Sequence, residues 1–151
     1  MDPYFPQAFV SSTQNTFETM LKIKLQPGKP QQKAGSFPSY DISGIIGLSG
    51  DAIGSVSLSF PKSVALNAVA ALLGTEVKTI TAEVVDAVGE LTNIVAGSAK
   101  VLLVPLRLSI SLPSVVVGVN HQLAASQGVE TVVVPFVSDL GHLALEISLK
   151  A

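Results

Sequence analysis

The chain has 151 residues, 48% hydrophobic and 13% charged, with formal net charge −2 and no cysteine. That length suits one domain, spanning 1–151, which needs no disulfide or metal to fold, and the missing cysteines exclude thiol catalysis and Cys-based zinc sites. The nine Lys and Arg residues are scattered, Trp is absent, and Tyr and Phe number two and six. Neither a basic phosphate track nor a base-stacking platform is supplied, so no nucleic-acid partner is expected.

So apolar a composition calls for a membrane span, or for a large buried sheet plus a subunit interface. The apolar stretch 101–106 is six residues long and contains Pro105, far short of the roughly 18 a bilayer span needs. The start, Met1-Asp2-Pro3, has no basic region followed by a continuous apolar one, so no secretory signal is expected. The expectation is a cytoplasmic, soluble protein with no membrane partner, its excess apolar surface hidden in an oligomer.

In chain order, Phe9, Thr13, Phe17, Met20 and Leu21 recur at helical spacing and predict a helix over about 6–23. The polar segment 24–39, with Pro27, Gly28, Pro30, Gly35 and Pro38, reads as a connector that holds at most one short extended piece. Segments 41–48 and 53–60 read as a hairpin about the turn residues Ser49, Gly50, Asp51 and Ala52. In its second strand Val56, Leu58 and Phe60 alternate with Ser55, Ser57 and Ser59. One face is therefore buried, and the other is polar or lies beside another element. Pro61 opens a helix that Gly74 ends.

A second helix is predicted over about 81–103, and strands over 106–112, 115–119, 129–137 and 143–149. Pro135 cannot donate to a ladder, which predicts an edge or a bulge there. The order is not a regular βαβ alternation. It predicts an α/β (α+β layered) domain with a mixed or antiparallel sheet, packed with an N-terminal helix and two long helices.

The helix over 81–103 separates into two faces. At ~100° per residue, Glu90, Asn93, Gly97 and Lys100 fall within roughly 40° of Asp86. Val84, Val88, Leu91, Val95, Ala99 and Leu102 fall on the opposite side. Gly89 and Gly97 lie on or beside the polar stripe. Each costs about 1 kcal/mol relative to alanine in a helix, which is best tolerated where something must approach the backbone. The residues alone leave two readings open. Either the stripe receives a partner, or the glycines pack under a neighbouring strand while Asn93 caps a buried backbone group.

The run from Asp86 through Gly89, Glu90 and Asn93 to Gly97 resembles the signature of the CheC/CheX/FliY phosphatases: an acid or serine, then a Glu, then an Asn, and a proline roughly twenty residues on. Here these are Asp86, Glu90, Asn93 and Pro113, the proline coming slightly early through a shorter connection after the helix. The resemblance extends to Gly28-Lys29-Pro30, to the hairpin and to the segment from Pro113 through Gly118, and so covers most of the chain. Asn15, Asn67 and Asn120 each lack a Glu three residues earlier. A single Glu/Asn pair favours the CheX branch over the two-site CheC branch, and there is no room for the extra domain of FliY-type proteins.

The resemblance implies a CheC-like fold and hydrolysis of the aspartyl phosphate of a CheY-like response regulator. It implies that Asn93 positions the attacking water, being an amide that hydrogen-bonds without titrating, and that Glu90 docks on the regulator's lysine. Asp86, Gly89, Gly97 and Pro113 are then partner-binding. No cofactor of the chain's own is implied, since Mg²⁺ belongs to the regulator, and a homodimer formed through the sheets is expected. His121 and His142 lie far apart without carboxylates at ligand spacing, and no Gly-x-Ser-x-Gly elbow occurs. The glycines between Gly44 and Gly54 match neither a P-loop nor a dinucleotide fingerprint. The alternatives are a non-catalytic receiver-binding adaptor and a structural subunit of a signalling or flagellar assembly.

Overall fold

The computed structural model describes residues 1–33, 40–119, 121, 123 and 128–150. The last part of the expected connector, 34–39, and Asn120 lie outside the described residues. Helix α1 spans Tyr4–Leu21, β1 Gln26–Pro27, β2 Gln31–Gln32, β3 Ile42–Gly50 and β4 Gly54–Phe60. Then come α2 (Lys62–Leu73), α3 (Ala82–Leu102), β5 (Leu108–Ile110), β6 (Ser114–Val117), β7 (Val129–Ser138) and β8 (Gly141–Lys150).

The described strands form one sheet in the order β1-β7-β8-β4-β3-β5, with β2 also on β7 and β6 also on β3. Every pairing is antiparallel, which settles the mixed-or-antiparallel alternative. The fold is thus the layered α/β arrangement expected, with the helices on one face of the sheet. Some bounds move. Helix α1 starts and ends two residues earlier than the spacing predicted, because Lys22 takes a left-handed conformation with φ 60° and closes the helix. The expected strand over 106–112 shortens to three residues, since only 108–110 reach the ladder of β3. The connector holds two short strands, both laid on β7.

Those two strands explain Pro135. Gln26 and Pro27 pair with Val137 and Phe136, and Gln31 and Gln32 pair with Val133 and Val132. Pro135 falls in the gap between them, where no ladder donor is required, and its carbonyl accepts from the Gly28 N–H at 2.7 Å.

The core lies between sheet and helices. Val56, Leu58 and Phe60 of β4, Leu143, Leu145 and Ile147 of β8 and Phe9 and Phe17 of α1 are all essentially inaccessible. Phe17 stacks on Phe60 with ring centroids 6.2 Å apart. The serine face of β4 is also buried. Ser59 and Ser43 share a 2.6 Å hydrogen bond, and His121 Nε2 lies 2.7 Å from Ser43. Beside them Lys33 and Glu146 form a buried ion pair, the ammonium 3.2 and 3.3 Å from the two carboxylate oxygens.

Candidate functional site

Helix α3 carries the polar stripe, and its placement begins at its ends. Thr81 caps the first turn, its hydroxyl accepting from the Val84 N–H at 3.4 Å. Glu83 stands in the first turn and Lys100 in the last, each with the sign that complements the helix dipole. Val84, Val88, Leu91, Val95 and Ala99 are buried, as the hydrophobic stripe predicted. Leu102 is the exception at 47% exposure, and its carbonyl accepts from the Tyr4 hydroxyl at 3.2 Å.

Two contacts hold the middle of α3 in place. On one side Ser12 of α1 donates to the Val95 carbonyl at 2.6 Å, fully buried. On the other side α3 approaches β3 at Gly44. A Cβ built on Gly44 would stand 2.0 Å from Thr92 Oγ1 and 3.3 Å from the Val88 carbonyl oxygen. Only a residue without a side chain admits the helix this close. Thr92 in turn donates to the Val88 carbonyl at 2.8 Å, so its hydroxyl is committed. Neither Gly44 nor Thr92 stood out as a site-building residue in the sequence. The signal was a glycine inside a strand pattern, which marks close approach of another backbone.

Asp86, Glu90 and Lys100 are exposed, and Asn93 and Gly97 are half-buried. Among the described residues the side chains of Asp86, Glu90 and Asn93 have no hydrogen-bond or ion-pair partner. Asn93 therefore caps no described backbone group, and its amide keeps its full bonding capacity. Glu90 and Asn93 are three residues apart, which places them side by side one helical turn apart.

The two helical glycines sit in different surroundings. Gly89 is buried, and a Cβ built on it would stand 3.4 Å from Val115 and 3.6 Å from Pro113. Pro113 is thus brought to the same turn of α3 as Glu90, by contact with Gly89 inside the chain's own packing. At Gly97 nothing lies within 4 Å of a built Cβ, so the helix backbone is bare there. His142 is exposed and His121 is part of the Ser43 cluster, both apart from the stripe. Among the described residues no three His, Asp or Glu side chains gather as a metal site, and no helix is long and apolar enough to cross a membrane.

Comparison with known proteins follows this geometry. The family model described as "Chemotaxis phosphatase CheX" matches residues 42–137, from the start of β3 into β7, and so contains the whole stripe and Pro113. The "CheY-P phosphatase CheX" of Thermotoga maritima is 31% identical over 121 residues, 78% of each chain. A solved CheX from Desulfovibrio desulfuricans superposes with a TM-score of 0.90 at 31% identity, covering 97% of this chain and 99% of that one. A CheX of Borrelia burgdorferi, solved as a complex with CheY, BeF3 and Mg²⁺, shares the fold with a TM-score of 0.85 at 23% identity over 97% and 98% of the two chains. With the family model spanning more than half the chain and carrying the Glu90–Asn93 turn, this protein belongs to the CheX family of chemotaxis phosphatases.

Proposed function

We propose that the protein hydrolyses the aspartyl phosphate of a CheY-like response regulator, with Asn93 positioning the attacking water and Glu90 docking on the regulator's active site. The observation that carries this reading is the uncommitted pair. Glu90 and Asn93 stand one turn apart on the accessible face of a helix whose other faces are locked, and neither side chain is spent inside the chain. The Borrelia relative's complex with CheY supports the choice of partner.

In the reaction, water attacks phosphorus, the P–O bond to the aspartate breaks, and inorganic phosphate and a free carboxylate leave. A receiver's own metal and lysine stabilise charge on the transferring phosphoryl group. Asn93 adds order. Its amide accepts from and donates to one water in line with the breaking bond, while staying neutral at every working pH. Restricting that water is a proximity effect worth several kcal/mol, about 100-fold or more in rate. Glu90 pairs with the receiver's lysine, and Asp86 extends the contact. Bare Gly97 admits the receiver's surface, and Gly89 serves by seating Pro113 at the edge of the site. Mg²⁺ is bound by the regulator, and the chain supplies no cofactor.

The same reading includes a homodimer joined at a sheet edge. Its support is β6, which pairs only with β3 among the described strands and leaves Val117 50% exposed, with Val119 at 85% just beyond it. Sedimentation of the parent and of Val117→Lys checks it: the parent sediments at twice the chain mass and the variant at once.

The test of the reaction is the decay of a phosphorylated CheY-like receiver with Mg²⁺. The parent accelerates decay, and folded Asn93→Ala loses that acceleration about 100-fold or more. If the parent binds the phosphorylated receiver without hastening its decay, the chain is an adaptor and the water-positioning role falls.

A further inference from the structure

The stripe on α3 does not end at Gly97. It runs into an open cleft of about 740 Å³, between the last turns of α3 and the segment that leads into β5. Gly97 and Lys100 line one wall, and Arg107 and Ser109 line the other. Val101 and Val104, 71% and 68% exposed, form its apolar rim with Leu106. Lys100 lies seven residues beyond Asn93, so it stands on the same face about 10 Å further along the helix.

One lip of the cleft is held by a pair of hydrogen bonds between Arg107 and Asp51. The Arg107 N–H donates to Asp51 Oδ2 at 2.8 Å, and the Asp51 N–H donates to the Arg107 carbonyl at 2.9 Å. Gly50, at φ 99°, makes the turn that lets this clamp close, since a Cβ there would meet the Arg107 carbonyl oxygen. Arg107 is therefore anchored at the lip of the cleft through its backbone, while its guanidinium is left unspent. Among the described residues neither that guanidinium nor the Lys100 ammonium has a hydrogen-bond or ion-pair partner. The surface reads acid, acid, amide, bare backbone, cation, cation from Asp86 to Arg107. Its complement is a surface with a cation at one end, a phosphoryl group in the middle, and acidic side chains flanking an apolar one at the other end.

We infer that the Lys100–Arg107 cleft is a second contact for the same phosphorylated receiver. It takes an acidic and apolar edge of the receiver beside the phosphoryl group and decides which receiver is served. The inference rests on the proposed phosphatase reading, because the occupant is fixed by continuity with the Glu90–Asn93 turn. Lys100 and Arg107 are positioning residues here, since neither reaches the reacting atoms. They act on encounter and register, which makes their contribution sensitive to salt.

The experiment is the receiver-decay assay over a range of receiver concentrations, with the parent, with Asn93→Ala and with Lys100→Glu/Arg107→Glu, at low and high salt. Both cations are exposed, so the double variant should fold, and its urea midpoint checks this. The expected result is a KM raised about tenfold at low salt with kcat lowered less than twofold, the gap closing as salt rises. Asn93→Ala shows the opposite split. A folded double variant with the parent's KM at low salt overturns the inference and leaves the phosphatase reading intact. A parent that never accelerates decay overturns the phosphatase reading itself, and the inference with it.

Discussion

Gly44→Ala tests whether the contact between β3 and α3 is what places the Glu90–Asn93 turn. The added methyl would lie 2.0 Å from Thr92 Oγ1 and 2.9 Å from Thr92 Cβ. Ordinary contact between such atoms is about 3.5 Å, so helix and strand must separate by about 1.5 Å. Thr92 cannot simply swing away. It is β-branched, and its hydroxyl is tied to the Val88 carbonyl at 2.8 Å. Overpacking of this kind costs about 1–3 kcal/mol. With the obstacle close to the helix backbone, the upper half of that range applies, offset by up to about 1 kcal/mol from replacing a glycine. The net expectation is a loss of about 2 kcal/mol, a urea midpoint lowered by about 1 M at an ordinary m-value. The displaced turn carries Asn93, so receiver-phosphate decay should slow by up to about 100-fold, as expected of a misplacement near 1 Å. Thr92→Ala in the same chain removes the nearest obstacle. The pair should therefore be non-additive, with a coupling above about 1 kcal/mol. Urea melts and decay rates for the two single variants and the double variant check this. A Gly44→Ala protein with the parent's midpoint and the parent's rate refutes the reasoning.

The remaining predictions concern glycines and a buried ion pair. Gly97→Ala adds a methyl that meets nothing within 4 Å, so it should stabilise the fold by up to about 1 kcal/mol by urea melt. Under the proposed docking it should still raise KM for the receiver. Gly89→Ala meets Val115 and Pro113 at ordinary contact distances of 3.4 and 3.6 Å, so it should leave stability unchanged or raised by up to about 1 kcal/mol. A marked loss in the same melt would show that Pro113 cannot yield. Glu146→Ala leaves the Lys33 ammonium, whose side chain is 1% exposed, without its counter-ion and with the Leu123 carbonyl at 3.0 Å as its remaining partner, and should cost about 3 kcal/mol. Lys33→Met/Glu146→Leu should recover most of that in the same melt, because an apolar pair leaves no unpaired charge.

Local patterning determined a large part of this protein by itself. The two-sided periodicity of α3 predicted six packing positions, from Val84 to Leu102, and five of the six are buried. Gly74 as helix stop and the β3–β4 hairpin were legible for the same reason, since capping and alternation act over a few residues. The acid, Glu and Asn at helical spacing were also readable, which made the family resemblance visible.

Only the tertiary structure decided what depends on distant partners. The two glycines of α3 look alike in the sequence, yet Gly89 faces Pro113 and Gly97 faces open space. The difference arises because Pro113 and Val115, on the chain that follows α3, pack against the helix at Gly89 and not at Gly97. Lys33 and Glu146 are 113 residues apart, and Ser43 and His121 are 78 apart. No local rule pairs them: the placement of β2 on β7 and of β7 on β8 brings the first pair together, and the pairing of β6 with β3 brings the second. Gly44 and Thr92 belong to the same class. A strand glycine announces that some backbone comes close, but only the packed fold names it as α3 and thereby fixes where Asn93 stands.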